Sequence, residues 1–241
     1  MSSYARRGVH GQTVEALARR VVSGAVPEGA TLDLVALRDE LGVSLTVLRE
    51  SLKVLAAKGM VDARQKRGTF IRARSHWNLL DPDVLRWQFA AGVDAEPGTG
   101  LLRDLGEVRS IIEPAAARLA AERRDAADLR ALETSLAAMA EAAPHGDPGP
   151  AVEADLAFHR ALLAATRNEL LRRMEIVLSA GLAERDQLVH GSAHSGDPVP
   201  SHRAVLDAVA AADPDAAEAA MRTLLDQAVR DLDNAHKERH I

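Results

Sequence analysis

Two side chains in the second half of the chain have the types and the spacing needed to hold a cation. Asp155 and His159 are four residues apart, and on a helix this spacing places a carboxylate and an imidazole on one face, where both can reach a single ion. His202 is a candidate third ligand, although nothing in its spacing shows that it converges with the other two. The alternative, and the more common use of such a pair, is an ion pair between Asp155 and His159 without a metal.

A second set of side chains has the pattern of a helix that reads nucleic acid. Ser44 is a good capping residue, and it predicts a helix that runs to about residue 58. The buried face of this helix would carry Leu48, Ser51, Leu52 and Leu55. The opposite face would carry Thr46, Arg49, Glu50 and Lys53. A helix with an apolar back and a short polar front can enter a major groove, whereas the alternative is a solvated amphipathic helix without a partner.

The elements around this helix predict a small DNA-binding head. Two further helices precede it, and the segments 60–64 and 69–72 have the β-branched and aromatic content of a hairpin. Arg64, Lys66 and Arg67 lie at the predicted turn, where a wing would approach the minor groove or the phosphates. We therefore expect residues 1–74 to form a winged helix-turn-helix domain.

The rest of the chain is predicted to be helical. Residues 75–92 look like a connector with a short helix, and residues 93–241 look like an all-α bundle, with helices near 101–121, 125–142, 150–166, 169–190, 201–212 and 214–237. Pro114 falls inside the first of these helices and is expected to kink it, because proline removes a backbone donor. The fold class predicted is thus mainly α, with a winged head and a helical body.

Composition and charge limit the possible functions. The chain of 241 residues has no cysteine, which excludes disulfides and thiolate metal sites and permits a reducing cytoplasm, where we expect the protein to act. No apolar run approaches the roughly 20 residues needed to span a bilayer, so no membrane partner is expected. Residues 1–75 carry 13 Lys and Arg against 7 Asp and Glu, or +6, while the remainder carries −11. This asymmetry indicates that only the head meets a polyanion.

The head resembles the winged helix-turn-helix of the GntR family of bacterial regulators. The residues that carry the resemblance are the run LGVSLTVLRESL at 41–52, followed by Leu55, Gly59, Val61 and Gly68. It implies a homodimer that binds a short palindromic operator in double-stranded DNA, with Thr46 and Arg49 on the recognition helix and Gly68 at the wing tip.

Two positions depart from the family pattern. Val35 and Leu45 stand where the family commonly has arginine, and each loss removes a charge-assisted contact to base or phosphate. We infer a changed operator, or an affinity that rests more on the other basic side chains; a helical scaffold that has lost DNA recognition is the alternative. The residues expected to contact DNA are Arg38, Ser44, Thr46, Arg49, Lys53, Arg64, Lys66, Arg67 and Gly68.

The body resembles the FadR-type C-terminal ligand-binding domain, called FCD, a bundle of six or seven helices that commonly holds zinc or a similar divalent ion. The matching segments are EVRSIIEP at 107–114, Asp155 with His159, Asn168, HRAV at 202–205 and AMR at 220–222. The resemblance implies that Asp155, His159 and His202 are metal ligands and that Arg109 and Asn168 bind an effector. The family often has one more histidine where this chain has Leu224.

These patterns favour a regulator that is not an enzyme. A small carboxylate could chelate the metal while the Arg109 guanidinium pairs with the carboxylate. Residues 77–87 resemble the connector of those family members that sense sugar acids such as galactonate or gluconate. The resemblance implies a repressor that such an effector releases from its operator. An ion pair between Arg109 and Glu113 is the alternative role of that arginine. A metal-dependent hydrolase or lyase is the rival function, but no His-Glu-x-x-His motif and no obvious general base accompany the three ligands.

Overall fold

The chain folds into two compact units, Met1–Ala95 and Glu96–Ile241. The computed structural model describes residues 8–93, 100–142, 148–179, 182 and 197–238. The first unit is called the head below and the second the body. Helices dominate both units, and the one sheet among the described residues is a two-stranded hairpin in the head, which confirms the mainly α class.

The head begins with three helices that pack their apolar faces together. They are α1 (Gly8–Val22), α2 (Leu34–Leu41) and α3 (Leu45–Ala57). Asp33 caps α2 by accepting hydrogen bonds from the amides of Val35 and Ala36, and Gly42 ends this helix in the left-handed conformation, with φ at 62°. Ser44 Oγ then accepts from Val47 N at 3.2 Å, so α3 begins where the sequence predicts.

A hairpin follows the three helices. Strands β1 (Val61–Arg64) and β2 (Gly68–Ile71) pair in antiparallel register, with Val61 opposite Ile71 and Arg64 opposite Gly68. The hairpin packs against the helices of the head, and Phe70 and Ile71 are buried as a result. The segment before α2 supports its outer strand, where Leu32 N donates to Thr69 O at 2.8 Å.

Helix α4 (Pro82–Val93) belongs to the head and is tied to it by buried charges. Lys58, the residue that ends α3, donates from Nζ to Asp81 at 2.7 Å and to Asp83 at 2.9 Å, with all three side chains under one-tenth exposed. Glu15 on α1 accepts from Trp87 Nε1 at 2.8 Å and from Arg86 Nη1 at 3.1 Å. Hydrogen bonds and ion pairs of these charged and aromatic side chains therefore join α1, α4 and the end of α3 within the head.

The body consists of helices whose apolar faces meet in one core. They are α5 (Gly100–Arg123), α6 (Ala126–Ala142), α7 (Pro148–Ala165), α8 (Glu169–Arg173), α9 (Val199–Ala210) and α10 (Pro214–Glu238). Alanine and leucine fill most of this core, around the fully buried Phe158 and Met221. Helix α5 continues through Pro114 without interruption.

The sequence predicts one continuous helix over 169–190, and this prediction is wrong for the first part of the span. The chain turns at Met174, which ends α8, and residues 175–179 then form a separate helical stretch. No glycine or proline in the sequence marks this break. Of the remaining predicted span, residues 180, 181 and 183–190 lie outside the described part of the chain.

Candidate nucleic-acid interface and metal centre

The polar face of α3 points into solvent as its spacing predicts. Leu48 and Leu55 are fully buried on the opposite side, while Thr46, Arg49 and Lys53 are exposed. Within the described residues, no hydrogen bond or ion pair engages the Arg49 guanidinium, so it is available to a groove edge or a phosphate.

Two other basic side chains of the predicted interface are held in exposed pairs. Arg38 binds Asp39 with its Nε 2.8 Å from the carboxylate, and Lys53 Nζ lies 2.8 Å from Glu50 Oε1. Such surface pairs contribute only about 0–1 kcal/mol. A phosphate could therefore replace the carboxylate at little cost.

Val35 and Leu45, which depart from the pattern implied by the resemblance, lie in different surroundings. Val35 is 60% exposed near the start of α2, whereas Leu45 is partly buried and packs against the head core. Ser44 uses its hydroxyl oxygen to cap α3. The hydroxyl hydrogen remains able to donate to a phosphate oxygen.

The hairpin turn places its three basic side chains in unequal roles. Arg67 stacks on Phe70, with its guanidinium carbon 3.8 Å from the ring centroid, and donates to Gly29 O at 3.0 Å. Arg64 lies over the same ring at 5.4 Å, while Lys66 is exposed at the tip with a left-handed φ of 67°. Lys66 and Gly68 are thus exposed at the hairpin turn, and Arg67 stabilises the turn through its contacts with Phe70 and Gly29.

The three predicted metal ligands are brought together in the body. Asp155 and His159 come from α7 and His202 comes from α9; all three are buried, and one ligand atom of each lies within 4.8 Å of the others. His202 Nε2 is 3.0 Å from Asp155 Oδ1, and His159 Nε2 is 3.6 Å from Asp155 Oδ2. Helical spacing joins the first two, and the packing of α9 supplies the third.

The hydrogen bond made by the His202 ring orients its Nε2 toward Asp155. His202 Nδ1 lies 2.8 Å from Pro198 O, and because a carbonyl only accepts, Nδ1 carries a hydrogen, which makes Nε2 an acceptor when the ring is neutral. The contact between His202 Nε2 and the carboxylate then joins two acceptors, and it requires a proton or a cation to balance it. Two imidazoles and a carboxylate suit zinc, with a coordination position left for another ligand.

A buried ion pair on α5 borders the cluster. Arg109 Nε donates to Glu113 Oε1 at 2.7 Å, and both side chains are under 5% exposed. Glu113 Oε2 also lies 3.0 Å from His159 Nδ1, although the two atoms are not aligned for a hydrogen bond. Burial acts to raise the pKa of Glu113, but the neighbouring Arg109 and His159 lower it to about 2. Glu113 is therefore an ionised carboxylate next to His159 Nδ1. The spacing in the sequence predicts only its pairing with Arg109, four residues away, because the contact with His159 joins two helices.

The two other body residues singled out from the sequence lie in different environments. Asn168 is exposed and caps α8, accepting at 3.0 Å from Leu170 N and at 3.2 Å from Leu171 N. This geometry gives it a structural role, and its effector contact stays a prediction. Leu224, which stands where the FCD resemblance implies a further histidine, is buried in the apolar core of the body and contributes packing.

A narrow cleft with a volume of about 10 Å³, enough for roughly one water molecule, reaches the His159 ring. Leu156, Leu163, Leu178 and Leu182 form its walls, and Arg160, Glu175 and Ser179 also line it. Pockets for drug-sized ligands usually measure about 300 Å³ or more. A sugar acid could therefore bind beside the cluster only if the side chains that line the cleft moved apart.

None of the helices described in the structure has the length and the apolar character required to cross a bilayer.

The sequence matches the family described as bacterial regulatory proteins, gntR family, over residues 10–71 and the FCD domain over residues 104–227. It is 33% identical over 220 residues to the galactonate operon transcriptional repressor of Escherichia coli K12, covering 90% of this chain and 93% of that protein.

Solved structures agree with this assignment. The GntR protein of Streptococcus agalactiae is 26% identical, with a TM-score of 0.50 over 92% of this chain and 99% of that one. McbR/YncC of E. coli, at 19% identity and a TM-score of 0.55 over 95% and 98% of the two chains, shares the fold. A GntR-type head joined to an FCD domain is the arrangement of a ligand-responsive DNA-binding regulator, and the chain belongs to the GntR family of bacterial transcriptional regulators.

Proposed function

We propose that this protein is a homodimeric repressor that binds a palindromic operator and leaves it when a small carboxylate, of the sugar-acid class, binds the body. Residues 1–74 bind DNA and residues 93–241 bind the effector, while residues 75–92, which include most of α4 and pack within the head, lead the chain from one to the other. The exposed polar face of α3, with Arg49 unengaged among the described residues, is the observation that carries the DNA-binding role. The similarity to a galactonate operon repressor supports both the repression and the effector class.

Substitution of Arg49 tests the recognition helix. Arg49→Ala is expected to weaken binding to the preferred site in the DNA upstream of the protein's own gene by about 5- to 150-fold, the worth of one bidentate base contact. Arg49→Lys keeps the positive charge but lacks the planar guanidinium that can donate two parallel hydrogen bonds to one base, so most of the preference for the operator sequence should still be lost. Fluorescence anisotropy over a salt series measures both effects, since phosphate contacts make affinity fall steeply with salt.

Arg130→Ala is the matched control, because this exposed arginine lies on α6 in the body and its loss removes the same charge. Its operator affinity should equal that of the wild type. Equal and weak binding of the wild type to every duplex would instead favour a scaffold that no longer reads DNA.

We further propose that Asp155, His159 and His202 hold zinc. Counting Asp155 and Glu113 as carboxylates and Arg109 as a cation, the buried cluster has a net charge of −1 with both imidazoles neutral. A divalent cation changes this to +1, and a monocarboxylate then neutralises the site. The cluster is thereby suited to binding a metal and an anion together, and we infer that it senses this ligand without turning it over.

A thermal-shift screen of sugar acids and other small carboxylates tests the effector site. A carboxylate at 100 times its Kd stabilises the folded protein by about 2.7 kcal/mol. We expect the active compounds to raise Tm in zinc and to lose most of this effect in EDTA. The same compounds should release the operator in the anisotropy assay, and a compound that raises Tm equally with and without chelator would contradict a shared metal and anion site.

A further inference from the structure

Arg109 contacts the same imidazole nitrogen that faces the carboxylate of the cluster. Its Nη2 lies 3.2 Å from His159 Nε2. A guanidinium has only donors, so Nε2 must accept this hydrogen bond with its ring lone pair. Nε2 is also the His159 nitrogen that lies 3.6 Å from Asp155 Oδ2, which makes it the atom that a cation shared with Asp155 would use.

One lone pair cannot accept the Arg109 hydrogen and bind a cation at the same time. We propose that Arg109 occupies the metal-binding lone pair of His159, that a divalent cation displaces it, and that the displaced Nη2 becomes a donor for a carboxylate bound beside the cation. This inference rests on the proposed metal site. It makes Arg109 a positioning residue that couples the two ligands.

Glu113 allows this movement to be small. It accepts from Arg109 Nε at 2.7 Å and from Nη2 at 3.3 Å, so the guanidinium can stay anchored through Nε while Nη2 turns away from His159. The pair is almost fully buried, and low solvent exposure strengthens both the anchoring attraction and the repulsion between Arg109 and an incoming cation.

The affinity for zinc alone tests the proposal. Arg109→Lys keeps the positive charge and can still pair with Glu113 four residues away, but its single ammonium lacks the fork that reaches His159 as well. If Arg109 competes with the cation, this variant should bind zinc more tightly, by about tenfold, within the usual range of coupling between two sites. Arg109→Gln removes the charge too, and its affinity should rise at least as much. Competition with a chromophoric chelator measures each Kd.

Arg103→Lys is the matched control, since Arg103 lies on the same helix as Arg109 but is 76% exposed and contacts the surface carboxylates of Asp104 and Glu107. It should bind zinc like the wild type. Unchanged or weaker zinc affinity in both Arg109 variants, with thermal unfolding in EDTA showing that they are folded, would overturn the proposal.

A structure of the wild-type protein with zinc provides an independent test that needs no variant. The Arg109 Nη2 to His159 Nε2 distance should then exceed hydrogen-bond range, about 3.5 Å, while the contact from Nε to Glu113 remains. Zinc bound to the cluster with Nη2 still at Nε2 would contradict the displacement. Neither experiment contains DNA, so either can fail while operator binding holds.

Discussion

Gly59→Ala is expected to destabilise the head by about 2–5 kcal/mol, from the left-handed backbone and the overpacking together. Gly59 has a φ of +78°, and an added Cβ would lie 2.3 Å from His76 O and 3.3 Å from His76 C. These are backbone atoms, so no change of rotamer can relieve the clash. Hydrogen bonds from Asn78 N to Lys58 O and from Arg72 N to Met60 O hold the chain on both sides.

The loss should reach DNA binding because Gly59 lies directly after the recognition helix and before β1. Thermal unfolding should show a lower Tm for the head, and anisotropy should show weaker operator binding at temperatures where the head begins to unfold. Zinc affinity reports on the body, and we expect it to be unchanged.

Gly24→Ala is the control for backbone strain alone. Gly24 has nearly the same φ, +74°, but no atom lies within 4 Å of an added Cβ. Its cost should be about 1–2 kcal/mol, the penalty of the left-handed conformation. Equal losses at the two positions would show that the close approach of His76 carries no weight.

Features with local causes were predictable from the sequence. Ser44 caps α3 and Gly42 ends α2, because both effects depend on atoms within four residues along the chain. The leucine face of α3 follows from helical periodicity and is buried as predicted. The hairpin likewise follows from its strand residues and the glycine at its turn.

Features that join distant segments were not predictable in the same way. His202 meets Asp155 across two helices, and no spacing in the sequence reports the packing of α9 on the rest of the body. The buried bonds of Lys58 to Asp81 and Asp83 were missed for the same reason, since a lysine at the end of a helix usually signals an exposed cap. A buried charge becomes stable only when distant partners arrive, and one sequence does not reveal them.

Asp155→Asn should abolish tight zinc binding while it leaves the stability in EDTA almost unchanged. In the proposed zinc site Asp155 supplies the anionic ligand, so we expect the zinc Kd to rise by more than about a hundredfold, beyond the 10- to 100-fold that loss of a supporting contact costs. Zinc at 1,000 times its Kd should stabilise the wild type by about 4 kcal/mol, and this increment should disappear in the variant.

The stability in EDTA separates a metal site from the ion pair that the spacing of Asp155 and His159 also allows. In a metal site the imidazoles are neutral, and the new amide can donate to His202 Nε2, which faces Asp155 Oδ1 at 3.0 Å; the free energy of unfolding should then change by less than about 1 kcal/mol. In a buried ion pair, removal of the carboxylate charge should cost about 3–5 kcal/mol. Glu153→Gln, at an exposed carboxylate on the same helix, should leave both zinc binding and stability as they are. A large loss of stability in EDTA together with unchanged zinc affinity would establish the ion pair, and the buried cluster would then stabilise the bundle without sensing a metal-bound effector.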